Sequence, residues 1–169
     1  MSEQNDFNKM KNINITLVES VLNDIHTFYQ YQLDPEANFM AAFTAKDPND
    51  KAAYIEKYSK FLTEPTITSR TIKVNDEIAG TISKFVMEGE AEITYWIDKK
   101  FWGQGIATAA LREFLKIVKT RPIYGRVAFD NYGSQKVLEK CGFVKIGNDR
   151  GFANARQAEI EEYIFKLSE

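Results

Sequence analysis

The 169-residue sequence has very little cysteine and histidine: Cys141 and His26 are the single examples of each. One cysteine cannot form an internal disulfide, and the Cys/His clusters of a structural zinc site are missing. We therefore expect a cytoplasmic protein without a bound metal. No apolar run approaches the roughly 18 residues that a membrane-spanning helix requires, and the polar start lacks the apolar segment of a signal peptide. We expect neither membrane insertion nor export.

The sequence also lacks a strong charge of either sign. Its 22 basic and 24 acidic residues give a formal net charge of −2, which provides no general attraction for nucleic acid or an anionic membrane. Any anion site must therefore be local. The length and the 44% content of hydrophobic residues are ordinary for one globular domain. We predict a polar tail over residues 1–12 and a single domain over 13–169.

Hydrophobic periodicity predicts a strand at the start of the domain, then helices, then three antiparallel strands ending near Ile97. Asp34-Pro35 and Asp47-Pro48 each resemble a helix N-cap followed by proline at the first helical position. A strand–helix–strand unit and a final helix and hairpin follow. The whole pattern predicts a mixed α+β (α/β) fold, a strongly twisted sheet of six or seven strands with helices on both faces.

The segment YWIDKKFWGQGIATAAL, from Tyr95 to Leu111, places two glycines where the helix of this unit begins. The unpaired amides and positive dipole end of a helix N-terminus attract anions. A dinucleotide fingerprint, G-x-G-x-x-G, fits poorly because Thr108 occupies the third glycine position. A Walker loop is absent. Glycines that merely tighten the turn, or a site for the pyrophosphate of coenzyme A, are the remaining interpretations.

Two motifs carry a family resemblance. The segment WGQGIA, from Trp102 to Ala107, resembles the Q/R-x-x-G-x-G/A turn of the GNAT acetyltransferases, with Trp102 in place of the usual Gln or Arg. Downstream, DNYGSQKVLEKCGF resembles N-x-x-S-x-x-V-L-E-K-x-G-F, found in the branch that acetylates the N-termini of ribosomal proteins. The chain is identified as a member of this superfamily, which implies the GNAT acyl-CoA N-acyltransferase fold.

The resemblance implies an acetyl-CoA-dependent N-acetyltransferase that moves an acetyl group to a primary amine by direct attack in a ternary complex. The phosphates of acetyl-CoA would bind mainly to backbone amides, and Asn131 would contact coenzyme A or its pantetheine arm. Asn131 could equally be the N-cap of the helix that follows it. The predicted cofactor-binding residues are Ile97, Asp98, Trp102, Gly103, Gln104, Gly105, Ile106, Ala107, Thr108, Asn131 and Ser134.

Three residues are candidates for proton transfer. Alternation places Glu92 on the strand face that carries Thr94 and Trp96, and the resemblance implies that it acts as a base through water; a solvated strand carboxylate is the simpler interpretation. The resemblance implies Ser134 as the donor to the leaving thiolate, with Tyr132 in reserve, because the tyrosine of many relatives is replaced by Leu138. A backbone N–H near Ile97 or Asp98 would stabilise the oxyanion.

The acceptor is the least determined part of this hypothesis. Tyr29, Phe39, Met40 and Phe43 are most simply core positions of the first helices, but the resemblance implies that these helices wall the acceptor cleft. We therefore include all four as substrate-binding candidates, for a small-molecule amine or a peptide N-terminus. A homodimer, the commonest assembly, is compatible with the sequence. The rival hypothesis is a non-catalytic acyl-CoA-binding sensor or interaction module of the same fold.

Overall fold

The computed structural model describes residues 13–169, so the predicted tail over 1–12 lies outside the described residues. The strands are β1 (Ile15–Glu19), β2 (Thr68–Val74), β3 (Glu77–Met87), β4 (Glu90–Ile97), β5 (Ile123–Ala128), β6 (Val144–Ala153) and β7 (Ala158–Leu167). The helices are α1 (Leu22–Tyr31), α2 (Pro35–Ala41), α3 (Lys51–Phe61), α4 (Ile106–Ile117) and α5 (Tyr132–Lys140).

The strands form one seven-stranded sheet in the order β1-β2-β3-β4-β5-β7-β6. All neighbouring strands are antiparallel except β4 and β5, which α4 connects as a parallel pair. That crossover is the strand–helix–strand unit expected from the sequence. The predicted mixed sheet of six or seven strands is thus confirmed.

Helices cover both faces of the sheet, as predicted. Helices α4 and α5 pack on one face, where Leu111, Phe114 and Leu138 join the main core. Helices α1 and α3 lie on the other face, where Phe28 of α1 packs with Trp96 of β4 and Tyr54 of α3. Because side chains alternate along a strand, β4 contributes Ile93 to the first core and Trp96 to the second.

The two Asp-Pro signals have different outcomes. Asp34 caps α2 by accepting a 2.9 Å hydrogen bond from the Ala37 amide, with Pro35 at the first helical position. The second prediction is wrong, since α3 begins at Lys51 and is capped by Asp50, which accepts from the Ala53 amide at 3.0 Å. Asp47 instead accepts from the Asn49 amide in the preceding turn, so the nearer aspartate takes the cap.

Between residues 13 and 169, no helix combines the length and apolar character needed to cross a membrane. Within the same range, no three His, Cys, Asp or Glu side chains are grouped so that they could hold a metal ion.

Candidate active site

The glycine turn opens α4 with exposed, unpaired backbone amides. Gly103 and Gly105 have φ angles of 75° and 76°, in the left-handed region that glycine adopts without strain. Gly105 is the N-cap and provides no capping side chain. Among the described residues, the amides of Ile106, Ala107 and Thr108 have no hydrogen-bond acceptor. These amides and the positive end of the α4 dipole can therefore bind an anion.

The space above this turn is open. A Cβ atom added to Gly103 or Gly105 would meet no described protein atom within 4 Å. The turn therefore does not need glycine to avoid a clash within the described chain, and a ligand can approach the backbone closely. The predicted anion site is consequently accessible.

The side chains of the turn are mostly engaged with the protein itself. The Trp102 indole Nε1 donates to the Ile97 carbonyl at 2.8 Å, and Gln104 Nε2 donates to the Lys100 carbonyl at 3.4 Å. Ile106 and Thr108 are buried. These predicted cofactor-binding residues, together with Ala107, therefore offer main-chain atoms to a ligand more readily than side chains.

The parallel strands separate beside the glycine turn. The last β4–β5 pair is Ile93–Gly125, after which the two strands diverge and leave a fork. Backbone amides alternate in direction along an antiparallel strand, and the Asp98 amide points to β3, where it donates to the Ala79 carbonyl at 2.8 Å. The amides of Tyr95 and Ile97 consequently point to the fork.

This geometry corrects one part of the oxyanion prediction. The Asp98 amide is already paired with Ala79, and the Asp98 carboxylate accepts from the Lys100 amide at 3.3 Å. Asp98 is therefore not available as a backbone donor. The Ile97 amide points to the fork, as an oxyanion donor must. The Tyr95 amide points there as well and is a second candidate donor, which the sequence did not indicate.

Glu92 lies two residues before Thr94 on β4 and is only 4% exposed, so it is not a solvated surface carboxylate. Its Oε1 accepts a 3.0 Å hydrogen bond from Arg126 Nε, and Arg126 also pairs with Glu162 at 3.2 Å. Among the described residues, Glu92 Oε2 has no hydrogen-bond partner. Burial raises the pKa of Glu92 above its ordinary value, and the Arg126 charge partly opposes this shift.

Ser134 lies in the first turn of α5, where its Oγ is 2.7 Å from the hydroxyl of Tyr95. The same Tyr95 hydroxyl lies 3.2 Å from the Ser134 carbonyl, to which it can donate. Burial raises the pKa of Tyr95, so this hydroxyl stays protonated at neutral pH. Alternation along the strand places Tyr95 on the face of β4 opposite Glu92, but no sequence signal links it to Ser134.

The neighbouring candidates on α5 differ in accessibility. Asn131 is the N-cap: its Oδ1 accepts from the Ser134 amide at 3.3 Å, and its Nδ2 donates to the Met40 carbonyl at 3.3 Å. Both polar atoms therefore have protein partners. The Tyr132 side chain is 66% exposed and points away from the core. Leu138 is buried against Gly125 and supplies no hydroxyl to the site.

A cavity of about 440 Å³ lies between α1, α3 and strands β2 to β4. Thr94 and Trp96 of β4 line it, so it adjoins the fork from the sheet face that carries Glu92. The four predicted substrate residues do not line this cavity. Tyr29 is buried and makes an edge contact with Tyr54, whose ring does line it.

The other three predicted substrate residues lie on or just after α2. Phe39 and Phe43 are 48% and 36% exposed, so they are not the core positions that their spacing indicated. The Phe39 ring stacks with the Arg156 guanidinium, and the Met40 carbonyl accepts from Asn131. They therefore lie near the β6–β7 turn and the start of α5.

The chain belongs to the GNAT acetyltransferase family, because the family model described as "Acetyltransferase (GNAT) domain" matches residues 14–144. It is 27% identical over 163 residues to the uncharacterised N-acetyltransferase p20 of Bacillus licheniformis, a match that covers 90% of this chain and 92% of p20. It is 40% identical over 65 residues to YdaF of Bacillus subtilis (strain 168), which bears the provisional name of ribosomal N-acetyltransferase. That match covers 36% of each protein.

Solved structures share the fold. The microcin C7 self-immunity acetyltransferase MccE, solved with acetyl-CoA and AMP, superposes with a TM-score of 0.76 at 19% identity and 92% coverage of both chains. RimL, a ribosomal L7/L12 α-N-protein acetyltransferase solved with coenzyme A, gives a TM-score of 0.72 at 18% identity, covering 91% of this chain and 93% of RimL. The family and the GNAT fold inferred from the sequence are thereby confirmed.

Proposed function

We propose that the protein is an N-acetyltransferase that moves the acetyl group of acetyl-CoA to a primary amine by direct attack in a ternary complex. The observation that carries this proposal is the set of accessible, unpaired amides at the start of α4, placed beside the β4–β5 fork. An anion held by these amides would have its remaining chain in the fork. A pyrophosphate that carries a thioester on a long arm fits that arrangement.

Acetyl-CoA would supply an activated acetyl thioester. The amides of Ile106, Ala107 and Thr108 would hold its pyrophosphate, while Gly103 and Gly105 leave room for close approach. The Ile97 amide, directed into the fork, would stabilise the negative charge that develops on the thioester carbonyl oxygen. Asn131 would contact the cofactor in one of two ways. Its backbone carbonyl would accept a hydrogen bond from the cofactor, or its Nδ2 would exchange the hydrogen bond to the Met40 carbonyl for one to the cofactor.

The amine must lose a proton before it attacks. A lysine-like amine with a pKa near 10.4 is neutral in only about one molecule in 2,500 at pH 7. Glu92 is the proposed base, acting through a water molecule on its unpartnered Oε2. Its burial, which raises the carboxyl pKa, supports this role because a stronger carboxylate base accepts the proton more readily.

Attack by the neutral amine would form the C–N bond and a tetrahedral oxyanion; its collapse would break the C–S bond, and the departing sulfur needs a proton donor. Ser134 is the proposed donor, with Tyr132 in reserve. A thiol with a pKa near 8.5 requires only modest help to leave. The 2.7 Å contact with Tyr95 supports Ser134 over the exposed Tyr132, because it fixes the direction of the Ser134 hydroxyl.

The acceptor class follows less directly. The names of YdaF and RimL refer to ribosomal acetylation, which makes a peptide N-terminus one candidate beside small-molecule amines. At pH 7 an N-terminal amine, with a pKa near 8, is neutral about two hundred times more often than a lysine amine. We also propose that the reaction takes place in the cytoplasm, in agreement with the single cysteine of the chain.

Turnover distinguishes this proposal from a non-catalytic acyl-CoA-binding module. We expect thiol release from acetyl-CoA with at least one member of a diverse panel of amines. Glu92→Gln and Ser134→Ala should each lower kcat at least tenfold while calorimetric affinity for coenzyme A changes less than twofold. Binding of acetyl-CoA by the wild-type protein, without thiol release for any amine, would instead favour the module.

A further inference from the structure

The cavity between α1, α3 and strands β2 to β4 has a polar floor and an aromatic roof. Its floor is the sheet face on which Ser69, Ser83 and Thr94 present hydroxyl groups, two of which bond to each other at 2.9 Å (Ser69 and Ser83). Its roof is α3, which contributes the rings of Tyr54, Tyr58 and Phe61. Its volume of about 440 Å³ lies in the lower part of the range of small-molecule sites, roughly 300 to 1,000 Å³.

The floor of this cavity meets the proposed reaction centre. Thr94 is the first β4 residue beyond the last β4–β5 pair, and it lies on the same face as Glu92. Its side chain is exposed to solvent although it lies in the middle of the sheet, because the cavity reaches down to it. An amine at Thr94 would therefore stand between the proposed base and the fork, with its body in the cavity.

The cavity wall contains no carboxylate within residues 13–169. Its single charged lining residue is Lys57, whose Nζ lies 5.4 Å from the ring centre of Tyr58 and 5.9 Å from that of Phe61. Two acids outside the wall are engaged with other groups: Glu92 pairs with Arg126, and Asp24 accepts from the Thr71 hydroxyl at 2.8 Å.

This charge pattern discriminates between amines. A second ammonium group deep in the cavity would lose hydration without gaining a counter-charge, which is strongly unfavourable, and Lys57 would repel it. An aromatic or branched apolar body would bury its surface against the Tyr54, Tyr58 and Trp96 rings. A neutral or anionic group at the far end would be compatible with Lys57.

We propose that the acetyl acceptor is a primary amine on an aromatic or branched apolar body without a second positive charge. This inference rests on the proposed function and names its substrate class. The same chemistry occurs in a free arylalkylamine and in a peptide whose first residue is aromatic. Polyamines and peptides that begin with lysine are excluded.

Matched acceptors test the charge rule directly. Hexylamine and 1,6-diaminohexane form one matched pair, because they differ only in the second amine. Tripeptides that begin with phenylalanine or lysine form the corresponding pair for peptides. The aromatic monoamine is 2-phenylethylamine. We expect kcat/KM to be at least tenfold higher for the monoamine and for the phenylalanine peptide than for their cationic counterparts. The ratio of kcat/KM for 2-phenylethylamine to kcat/KM for the phenylalanine peptide decides whether the acceptor is a free amine or a peptide N-terminus. Equal or faster turnover of the cationic member in both pairs would overturn the inference.

A designed carboxylate tests whether this cavity is the acceptor site. Ser69 is half-buried on the floor, two strands away from Thr94, so Ser69→Asp places a carboxylate near the far end of the acceptor, and Ser69→Asn is the uncharged control of the same size. We expect the aspartate variant to raise the diaminohexane-to-hexylamine ratio of kcat/KM at least tenfold, and the asparagine variant to leave it within twofold. An unchanged ratio in a folded Ser69→Asp protein would contradict the assignment.

Binding separates failure of this inference from failure of the proposed function. If no amine releases thiol, the catalytic proposal fails, and calorimetry in the presence of coenzyme A still tests the cavity. Binding of 2-phenylethylamine at least tenfold tighter than 1,6-diaminohexane, abolished by Ser83→Trp, would support the inference. Equal binding of the two amines would overturn it. Rapid acetylation of polyamines would leave the proposed acetyltransferase activity intact but would overturn the inference about the acceptor class.

Discussion

The hydroxyl of Tyr95 lies 2.7 Å from the Oγ of Ser134 and thereby connects the separated edge of β4 to the first turn of α5. Tyr95 is the third of the β4 residues that face α4 and α5, after Ala91 and Ile93, and its ring reaches across the fork. Because burial raises the pKa of Tyr95, it remains a neutral partner at any physiological pH. We interpret it as a positioning residue that fixes the rotamer of the proposed thiolate donor.

Tyr95→Phe should therefore impair turnover without affecting cofactor binding. Loss of one neutral hydrogen bond is worth about 1 kcal/mol, which corresponds to roughly a fivefold lower kcat. We expect the KM for acetyl-CoA to stay within twofold, and Ser134→Ala to be no further impaired by adding Tyr95→Phe. Steady-state kinetics of the single and double variants measure this coupling. Additive losses in the double variant would show that the two hydroxyls act separately.

Tyr31→Phe is the matched control for this experiment. The Tyr31 hydroxyl is buried and has no hydrogen-bond partner among residues 13–169, and burial raises the pKa of Tyr31 as it does for Tyr95. Its removal should leave kcat unchanged and stabilise the fold by about 1 kcal/mol, because an unsatisfied polar group is lost. Urea unfolding and turnover measure both effects. A loss of activity similar to that of Tyr95→Phe would mean that any buried hydroxyl deletion is harmful.

The raised pKa of Glu92 predicts the acidic limb of the pH profile. A general base works in its deprotonated form, so kcat/KM should fall as the pH drops through the raised pKa. Arg126 opposes the shift by favouring the charged carboxylate, so Arg126→Gln should move the acidic limb to higher pH. Glu92→Gln should lower the rate and remove this contribution to the limb. The pH profiles of wild type, Arg126→Gln and Glu92→Gln should be measured with the same amine. Because the titration of that amine is then common to all three profiles, the differences between them report Glu92.

An acidic limb that keeps its midpoint in Arg126→Gln would argue against Glu92 as the group that titrates. Glu162, which also pairs with Arg126, is the internal comparison. Its pKa is likewise raised by burial. Glu162→Gln should move the limb the opposite way, to lower pH, because the Glu162 charge raises the pKa of Glu92 whereas the Arg126 charge lowers it.

The sequence predicted the elements whose signals are local and missed the contacts that depend on strand separation. The glycine pair before α4 and the alternation along β4 placed Gly105 and Glu92 correctly in the fold. Neither pattern could show that Arg126 pairs with Glu92, since that contact joins strands that are 34 residues apart along the chain. The paired state of the Asp98 amide was also hidden, because it depends on the exact register of β3 and β4.

The same limit explains the aromatic candidates. Helical spacing indicated that Phe39 and Phe43 face the core, yet both are exposed, because α2 has only seven residues and buries only Ala37. The residues that do line the cavity, such as Tyr58 and Phe61, belong to α3, and their sequence pattern carries no indication of function. A cavity forms where two packed surfaces do not match in shape. The spacing of apolar residues along the sequence carries no information about that mismatch.

The glycine turn predicts a specific loss of cofactor affinity. Gly105→Ala places a methyl group on the open side of the turn and strains a residue at φ 76°, at a cost of about 1 kcal/mol. We expect at least tenfold weaker binding of coenzyme A by calorimetry. Gly89→Ala is the matched control, because Gly89 has φ 80° and equally open surroundings but lies in the β3–β4 turn. A comparable loss of affinity in both variants would show that backbone strain in general, and not a methyl group at the glycine turn, weakens the binding of coenzyme A.

The buried ion pair between Arg156 and Asp130 predicts where stability depends on pH. Both Asp130 oxygens accept from the Arg156 guanidinium at 2.9 Å, and Arg156 Nε donates to the Phe39 carbonyl at 2.7 Å. The Arg156 side chain is only 7% exposed, against 28% for Asp130. The pair therefore ties the β6–β7 turn to α2 and to the residue that precedes the α5 cap.

Asp130→Asn should lower the free energy of unfolding at pH 7 by about 2 kcal/mol, between the values typical of exposed and fully buried pairs. Arg156 holds the pKa of Asp130 below its usual range. The stabilisation is thus present above the unfolded-state pKa, near 3.9, and is lost as the pH falls through the lower folded-state value. Urea unfolding from pH 7 to pH 3 should show the variant and wild type converging in acid. Glu56→Gln, which breaks an exposed pair with Lys60, should have no measurable effect, and a constant difference between Asp130→Asn and wild type across this range would refute the electrostatic origin.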